Sequence, residues 1–267
     1  MNGGLIARRW SGFKVIYNLF SQPYILIGMH RSGTSMLSEL LHDSGIFMGT
    51  DVYKNKESFF FQELNIRLLN ENGFSWDKPG VPTRGRLKVS DYGVMRRYIK
   101  AHYHPIRLMQ LLGGRPWGWK DPRTTFTLAQ WLAIFPKAKV IHIYRNGIDV
   151  ALSLYHRNKK IGKGGRCYSE FLERKTAGLD LWEKYVAQAF SFVPSLAGQM
   201  LTLHYEKLVG CDAEQVASLE AFTGLPLREK IAAKADPTRV SRFKSGEHED
   251  LVDYARQNAW MQKLGYC

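Results

Sequence analysis

The run Tyr24-Ile25-Leu26-Ile27-Gly28-Met29-His30-Arg31-Ser32-Gly33-Thr34-Ser35 constrains the fold more than any other stretch of this chain. An apolar segment too short for a helix gives way to a glycine-bracketed loop. Met36, Leu37, Leu40 and Leu41 then recur at helical spacing, up to a stop at Gly45. Strand, loop and helix in that order put backbone N–H groups at a helix N-terminus, where negative charge is favoured. Against the nucleoside-triphosphate loop G-x-x-x-x-G-K-[ST], Gly28, Gly33 and Ser35 fit, but Thr34 stands where a lysine would reach the β- and γ-phosphates. That argues against an ordinary ATP or GTP enzyme. Arg31, inside the loop, supplies a cation whose planar fork suits a phosphate or a transferring oxyanion.

Two more apolar runs, Lys139–Tyr144 and Met200–His204, read as buried parallel strands with polar residues at their C-terminal ends, where ligands bind in open α/β sheets. The expected fold is α/β: a P-loop-like central parallel β-sheet flanked by helices, a single domain over 23–267 with an N-terminal helical extension over 1–22. Beyond the second strand, Asn146 is placed to cap a helix, with Asp149 three residues on as in a capping box. Residues 169–192 read as a long helix and 213–222 as another, stopped by Gly224. Residues 75–90 and 157–166 combine glycine with basic side chains and read as mobile loops, either lids over a site or solvated surface.

Lys+Arg 38 against Asp+Glu 24 leaves a net charge of +14, which favours an anionic partner: nucleic acid, a membrane surface or a small polyanion. No recognition-helix, RNP or zinc pattern is present, so nucleic acid is not the expected partner. Cys167, Cys211 and Cys267 are odd in number and show neither C-x-x-C nor metal-ligand spacing, so no disulfide framework and no metal are expected, and the chain reads as cytoplasmic. Near the start, Arg8 and Arg9 precede an apolar stretch broken by Asn18, Ser21, Gln22 and Pro23, which is no transmembrane segment. Residues 5–20 either pack as a helix on the domain or make weak contact with a membrane surface.

With the anion loop, the Arg145/Ser153 pair after the second strand and the Tyr205-Glu206-Lys207-Leu208 step after the third, the chain resembles the PAPS-dependent sulfotransferases, nearest their bacterial and tyrosylprotein-sulfotransferase-like branch. The resemblance implies PAPS as co-substrate, an adenosine with a 3′-phosphate and a 5′-phosphosulfate, and no metal. It implies that His30, Arg31, Ser32, Gly33, Thr34 and Ser35 hold the phosphosulfate, that Arg145 and Ser153 hold the 3′-phosphate, and that Tyr205 packs near the nucleotide. Trp119-Lys120-Asp121-Pro122-Arg123 is similar to the family's K-D-P segment, which implies that Lys120 touches the bridging oxygen or the sulfuryl group. Glu57, ahead of Leu64-Asn65-Ile66-Arg67-Leu68-Leu69, is similar to a bacterial glutamate that takes the acceptor proton.

The implied catalytic set is Glu57, Arg31 and Lys120, working by metal-independent in-line displacement onto a hydroxyl acceptor. That acceptor is a carbohydrate, small molecule or peptide, and the basic loops suit an acidic one. Several alternatives stay open. Glu63, Asp51 and His42 compete with Glu57 as base, and His30 also reads as a loop-packing residue. Trp76, Trp117, Trp119, Tyr53 and Phe59 to Phe61 either stack an acceptor or fill the core. A basic run, Arg239, Ser241, Arg242 and Lys244, either closes over the cofactor or is a solvated flank. A P-loop kinase with a degenerate lysine and a basic nucleic-acid-binding protein are the competing functions.

Overall fold

The structure, a computed structural model, describes residues 23–49, 52, 54–85, 87, 116–236, 240 and 248–267. The extension at 1–22, Asp51, Tyr53, Arg239 and the basic residues 241–244 lie outside the described residues. Four strands, β1 (Tyr24–Ile27), β2 (Gly118–Lys120), β3 (Lys139–Tyr144) and β4 (Met200–His204), form a wholly parallel sheet in the order β2-β1-β3-β4. Tyr24 pairs with Gly118 on one side and with Lys139 on the other, so β1 is central. The chain leaves β1 toward one neighbour and later continues on its other side. The crevice beyond the C-terminal ends of β1 and β3 is therefore the topological switch point.

Side chains of β1 alternate between the faces. Ile25 and Ile27 join one buried cluster, whereas Tyr24 and Leu26 join another. Helices α1 (Thr34–Asp43), α2 (Phe59–Asn70) and α3 (Thr124–Ile134) cover the sheet. Leu37, Leu40 and Leu41 of α1 pack on the Leu26 face, and Phe61, Leu64, Leu68, Leu128 and Trp131 of α2 and α3 pack on the Ile25 face. A sheet covered on both faces makes continuously apolar strands, as in β1. β4 is less buried than its sequence suggested, with one of its five residues fully inside, as suits an edge.

Helix α4 (Gly147–Ile161) follows β3, and α5 (Lys175–Phe190) lies against it after a short 3₁₀ turn, Glu170–Glu173. The expected single helix over 169–192 is thus two elements. The supposed loop over 157–166 is also different: its first five residues are the last turn of α4. After β4 come α6 (Tyr205–Val209), α7 (Ala213–Thr223) and α8 (Arg228–Lys234), and α9 (Glu249–Arg256) and α10 (Ala259–Lys263) lead to the C-terminus. Strand β2 has only three residues and was not legible as a strand. Gly118 is required there, because a Cβ would lie 2.0 Å from the Tyr24 carbonyl oxygen. Among the described residues, no helix is long and apolar enough to cross a membrane.

Candidate active site

The loop after β1 is shaped by three left-handed residues, Gly28 at φ +142°, Gly33 at +91° and Arg31 at +72°. Gly28 has no alternative: a Cβ there would meet the Ile143 carbonyl oxygen at 2.3 Å. Gly33 lies against the Tyr205 ring, whose nearest carbon would be 2.3 Å from an added Cβ. α1 opens at Gly33 without a side-chain cap, so its first N–H groups are not satisfied by a local hydroxyl or carboxylate. Ser32 is fully buried, and among the described residues its hydroxyl makes no hydrogen bond.

The turn after β3 lies beside this loop. Asn146 caps α4 as expected, its side chain accepting from the N–H groups of Ile148 and Asp149. The other half of the expected capping box is not formed. The Asn146 N–H donates to Glu206 Oε1 at 2.8 Å, and Asp149 accepts instead from Arg145 Nη2 at 2.8 Å. Arg145, 7% exposed, lies over the Tyr205 ring, its guanidinium carbon 4.9 Å from the centroid. A second guanidinium nitrogen donates to the Arg31 carbonyl oxygen at 3.4 Å, while Arg31 Nε donates to Ser153 Oγ at 2.8 Å. The two motifs recognised separately in sequence are therefore joined by direct contacts.

The Arg145–Asn146 turn is braced from the rest of the fold. Trp182 Nε1 donates to the Arg145 carbonyl at 2.9 Å. Glu206 accepts from the Tyr266 hydroxyl at 3.0 Å and lies 3.1 Å from His204 Nδ1, which ties the C-terminal tail to the same turn. Burial would raise the Glu206 carboxyl, but the hydrogen bonds from His204 and from the Asn146 backbone hold it below its ordinary value.

In front of the loop after β1 lies a cleft of about 580 Å³ that brings together His30, Arg31, Thr34, Ser35, Glu57 and Lys120. Glu57 is 2% exposed and accepts from Lys120 Nζ at 3.2 Å, from Arg123 Nη1 at 3.2 Å and from the Gln62 amide. Burial raises its carboxyl, but Lys120, His30 and Arg123 outweigh this and draw it down to about 2. His30 is itself held well below its ordinary range, chiefly by burial, so at neutral pH Lys120 and Arg123 carry the effect. His30 Nδ1 is 3.8 Å from Glu57, and its Nε2 makes no hydrogen bond. The ring meets Trp76 and Tyr185 edge-on, a packing role of the kind its sequence position allowed.

Glu63 is exposed on α2, and His42 accepts from the Met48 N–H away from the cleft. Of the carboxylates considered, Glu57 is the one the described residues place at the site. Trp117, Trp119 and Phe61 are core residues, with Phe61 and Trp119 stacked at 4.0 Å, whereas Trp76 lines the cleft. Sequence reading missed the importance of Arg123 and Asn65. Arg123 also pairs with Asp121 at 2.9 Å. Asn65, fully buried, donates to Asp121 and Thr124 and accepts from Thr127 and Trp131, so all its hydrogen-bonding capacity on α2 is spent holding the Lys120–Arg123 segment and α3. The signal was present in Trp119-Lys120-Asp121-Pro122-Arg123, where two cations and a carboxylate crowd a proline turn.

A model of the sulfotransferase family matches residues 23–229. The chain belongs to the sulfotransferase family. Among curated relatives, it is 25% identical over 224 residues to an uncharacterized protein of Aquifex aeolicus (strain VF5) and 25% identical over 229 residues to sulfotransferase 1A1 of Canis lupus familiaris. These alignments cover 79% and 84% of this chain but 26% and 65% of the relatives, so the chain spans less than two thirds of the length of either. Among solved structures, the sulfotransferase domain of the Synechococcus PCC 7002 olefin synthase superposes with a TM-score of 0.53 at 15% identity, covering 88% of this chain and 94% of that one. At that identity the likeness concerns the sulfotransferase fold.

Proposed function

We propose that this sulfotransferase-family chain moves a sulfuryl group from PAPS to a hydroxyl acceptor. The observation that carries the reading is the junction of two anion-suited turns at the switch point, Arg31 to Ser153 and Arg145 to the Arg31 carbonyl. The residues present fit a doubly phosphorylated adenosine. A glycine-walled loop leads to an uncapped helix start, with a buried arginine on a tyrosine face at the second turn. Bound there, PAPS would supply an activated S–O bond between sulfur and its 5′-phosphate.

In this reading the amides of His30 to Ser35 and the start of α1 hold the phosphosulfate, and Arg145 with Ser153 holds the 3′-phosphate. Tyr205 packs beside the nucleotide. Arg31 and Lys120 meet the charge that grows on the leaving phosphate oxygen as its bond to sulfur breaks and the acceptor oxygen bonds to sulfur. Glu57 takes the acceptor's hydroxyl proton. A carboxylate held near 2 is a weak base, and its strength depends on Lys120 and Arg123. An anion in the cleft competes for those cations, and each contact withdrawn from Glu57 raises its proton affinity. Binding and basicity are linked through the same two side chains.

The test is titration calorimetry of wild type and Arg145→Ala with PAP, ADP and Mg-ATP. Wild type is expected to prefer PAP. Arg145→Ala is expected to lose PAP affinity by about tenfold or more, as for one charge-assisted contact, and to lose ADP affinity much less. Equal losses for PAP and ADP overturn the assignment, and a wild-type preference for Mg-ATP favours a kinase.

A further inference from the structure

Six lysine and arginine side chains line the cleft, Arg31, Lys54, Lys120, Arg123, Arg157 and Arg166, against the single carboxylate of Glu57. Three of them are already accounted for, Arg31 by Ser153 and Lys120 and Arg123 by Glu57. Among the described residues, Lys54, Arg157 and Arg166 make no ion pair. Arg157 is placed by the helix that carries it. Asp149, Ser153 and Arg157 are spaced by four along α4 and share one face of it. Asp149 holds Arg145, Ser153 holds Arg31, and Arg157 comes one turn further on, about 12 Å from Asp149 along the axis. The face thus runs from the second anion turn, past the phosphate loop, to the outer cleft.

Arg157 is half-buried, its guanidinium carbon 5.3 Å from the Trp76 ring centroid. Trp76 is itself fixed, its carbonyl accepting from the Tyr185 hydroxyl at 2.9 Å. Arg166 is exposed, on the loop that follows α4. Buried Asn158 donates to the Ser169 carbonyl at 2.8 Å and accepts from the Ser169 N–H at 2.9 Å, drawing the 162–169 loop back onto the end of α4. Arg157, set against Trp76 by the helix face, and Arg166, on the loop that Asn158 holds, both line the cleft beyond the residues that the donor reading uses.

We propose that the acceptor carries a negatively charged oxyacid group, carboxylate or sulfate, gripped by Arg157 and Arg166 while its hydroxyl reaches Glu57. This rests on the sulfuryl-transfer reading above. Lys54, also lining the cleft and exposed, adds field without fixed geometry.

The test uses matched acceptors with labelled PAPS: 4-hydroxyphenylacetate against 4-hydroxyphenylacetamide, methyl glucuronoside against methyl glucoside, and methyl glucoside 6-sulfate as the sulfate arm. Wild type is expected to prefer the anionic member of at least one pair by about tenfold or more in kcat/KM, the worth of one charge-assisted contact. The sulfate arm shows which oxyacid is preferred. In Arg157→Gln/Arg166→Gln the preference is expected to fall toward unity while PAP affinity stays within about twofold of wild type. Equal use of both members, a preference that survives the double substitution, or no turnover of any acceptor by a protein that binds PAP overturns the proposal and leaves the donor reading standing. Failure to bind PAP removes the donor reading itself.

Discussion

Replacing Glu57 by glutamine keeps the shape of the side chain and removes the charge that Lys120 and Arg123 face. Moving a buried carboxyl from its ordinary 4.5 to about 2 corresponds to about 3 kcal/mol of folding free energy at neutral pH, at about 1.4 kcal/mol for each tenfold change in proton affinity. The cost of removing one member of a buried ion pair, about 3–5 kcal/mol, agrees with this. Glu57→Gln is therefore expected to lose about 3 kcal/mol in urea unfolding at pH 7, equivalent to a fall in Tm of roughly 6–12 °C for a domain of this size. The folded carboxyl titrates below the unfolded one, so its contribution is complete above about 4.5 and fades as pH falls toward 2. The wild-type advantage over Glu57→Gln should fade across that window. Adding Lys120→Met removes the second buried charge and should recover part of the loss. Steady-state turnover should fall while PAP affinity is retained or rises, because Lys120 and Arg123 are released from Glu57. A loss below about 1 kcal/mol at pH 7, or an advantage independent of pH, would refute the buried triad and leave Glu57 to be judged on turnover alone.

Two further outcomes follow from single contacts. His142, in the middle of β3 and 1% exposed, has no hydrogen bond to either ring nitrogen, and burial pushes it down to about 3; His142→Leu should stabilise the fold by about 1–3 kcal/mol at pH 7. That gain should widen as pH drops below 6.5, where the unfolded histidine binds a proton that the folded one refuses, and a variant less stable than wild type across the range counts against the reasoning. Tyr266→Phe cuts the tail's bond to Glu206, which braces the Arg145–Asn146 turn. It should weaken PAP binding severalfold while leaving the free energy of urea unfolding within about 1 kcal/mol of wild type, and unchanged PAP affinity would show the tail to be idle in positioning.

The strand, loop and helix start at 24–35 were legible because they are local, with two glycines in forced conformations between them. The Asn146 cap was legible for the same reason. β2 was hidden because three residues carry no periodicity, and its place in the sheet depends on pairing with Tyr24, far away in sequence. The Glu57 triad was only half visible. Sequence can place a glutamate before a helix, but the approach of Arg123, 66 positions later, is a product of how α2 meets the segment after β2. The basic stretch at 157–166 misled because its lysines and glycines resemble loop composition, while Asn158, which anchors it, looks like any polar residue until Ser169 is beside it.

The Tyr205 ring pressed on the bare backbone of Gly33 sets the gauge between the two grips. No side chain can be inserted there to widen it, and Arg145 rides on the same ring. On the proposed reading, a nucleotide held by both turns meets a pair whose relative placement is set by one aromatic ring, so packing as well as charge shapes what can bind.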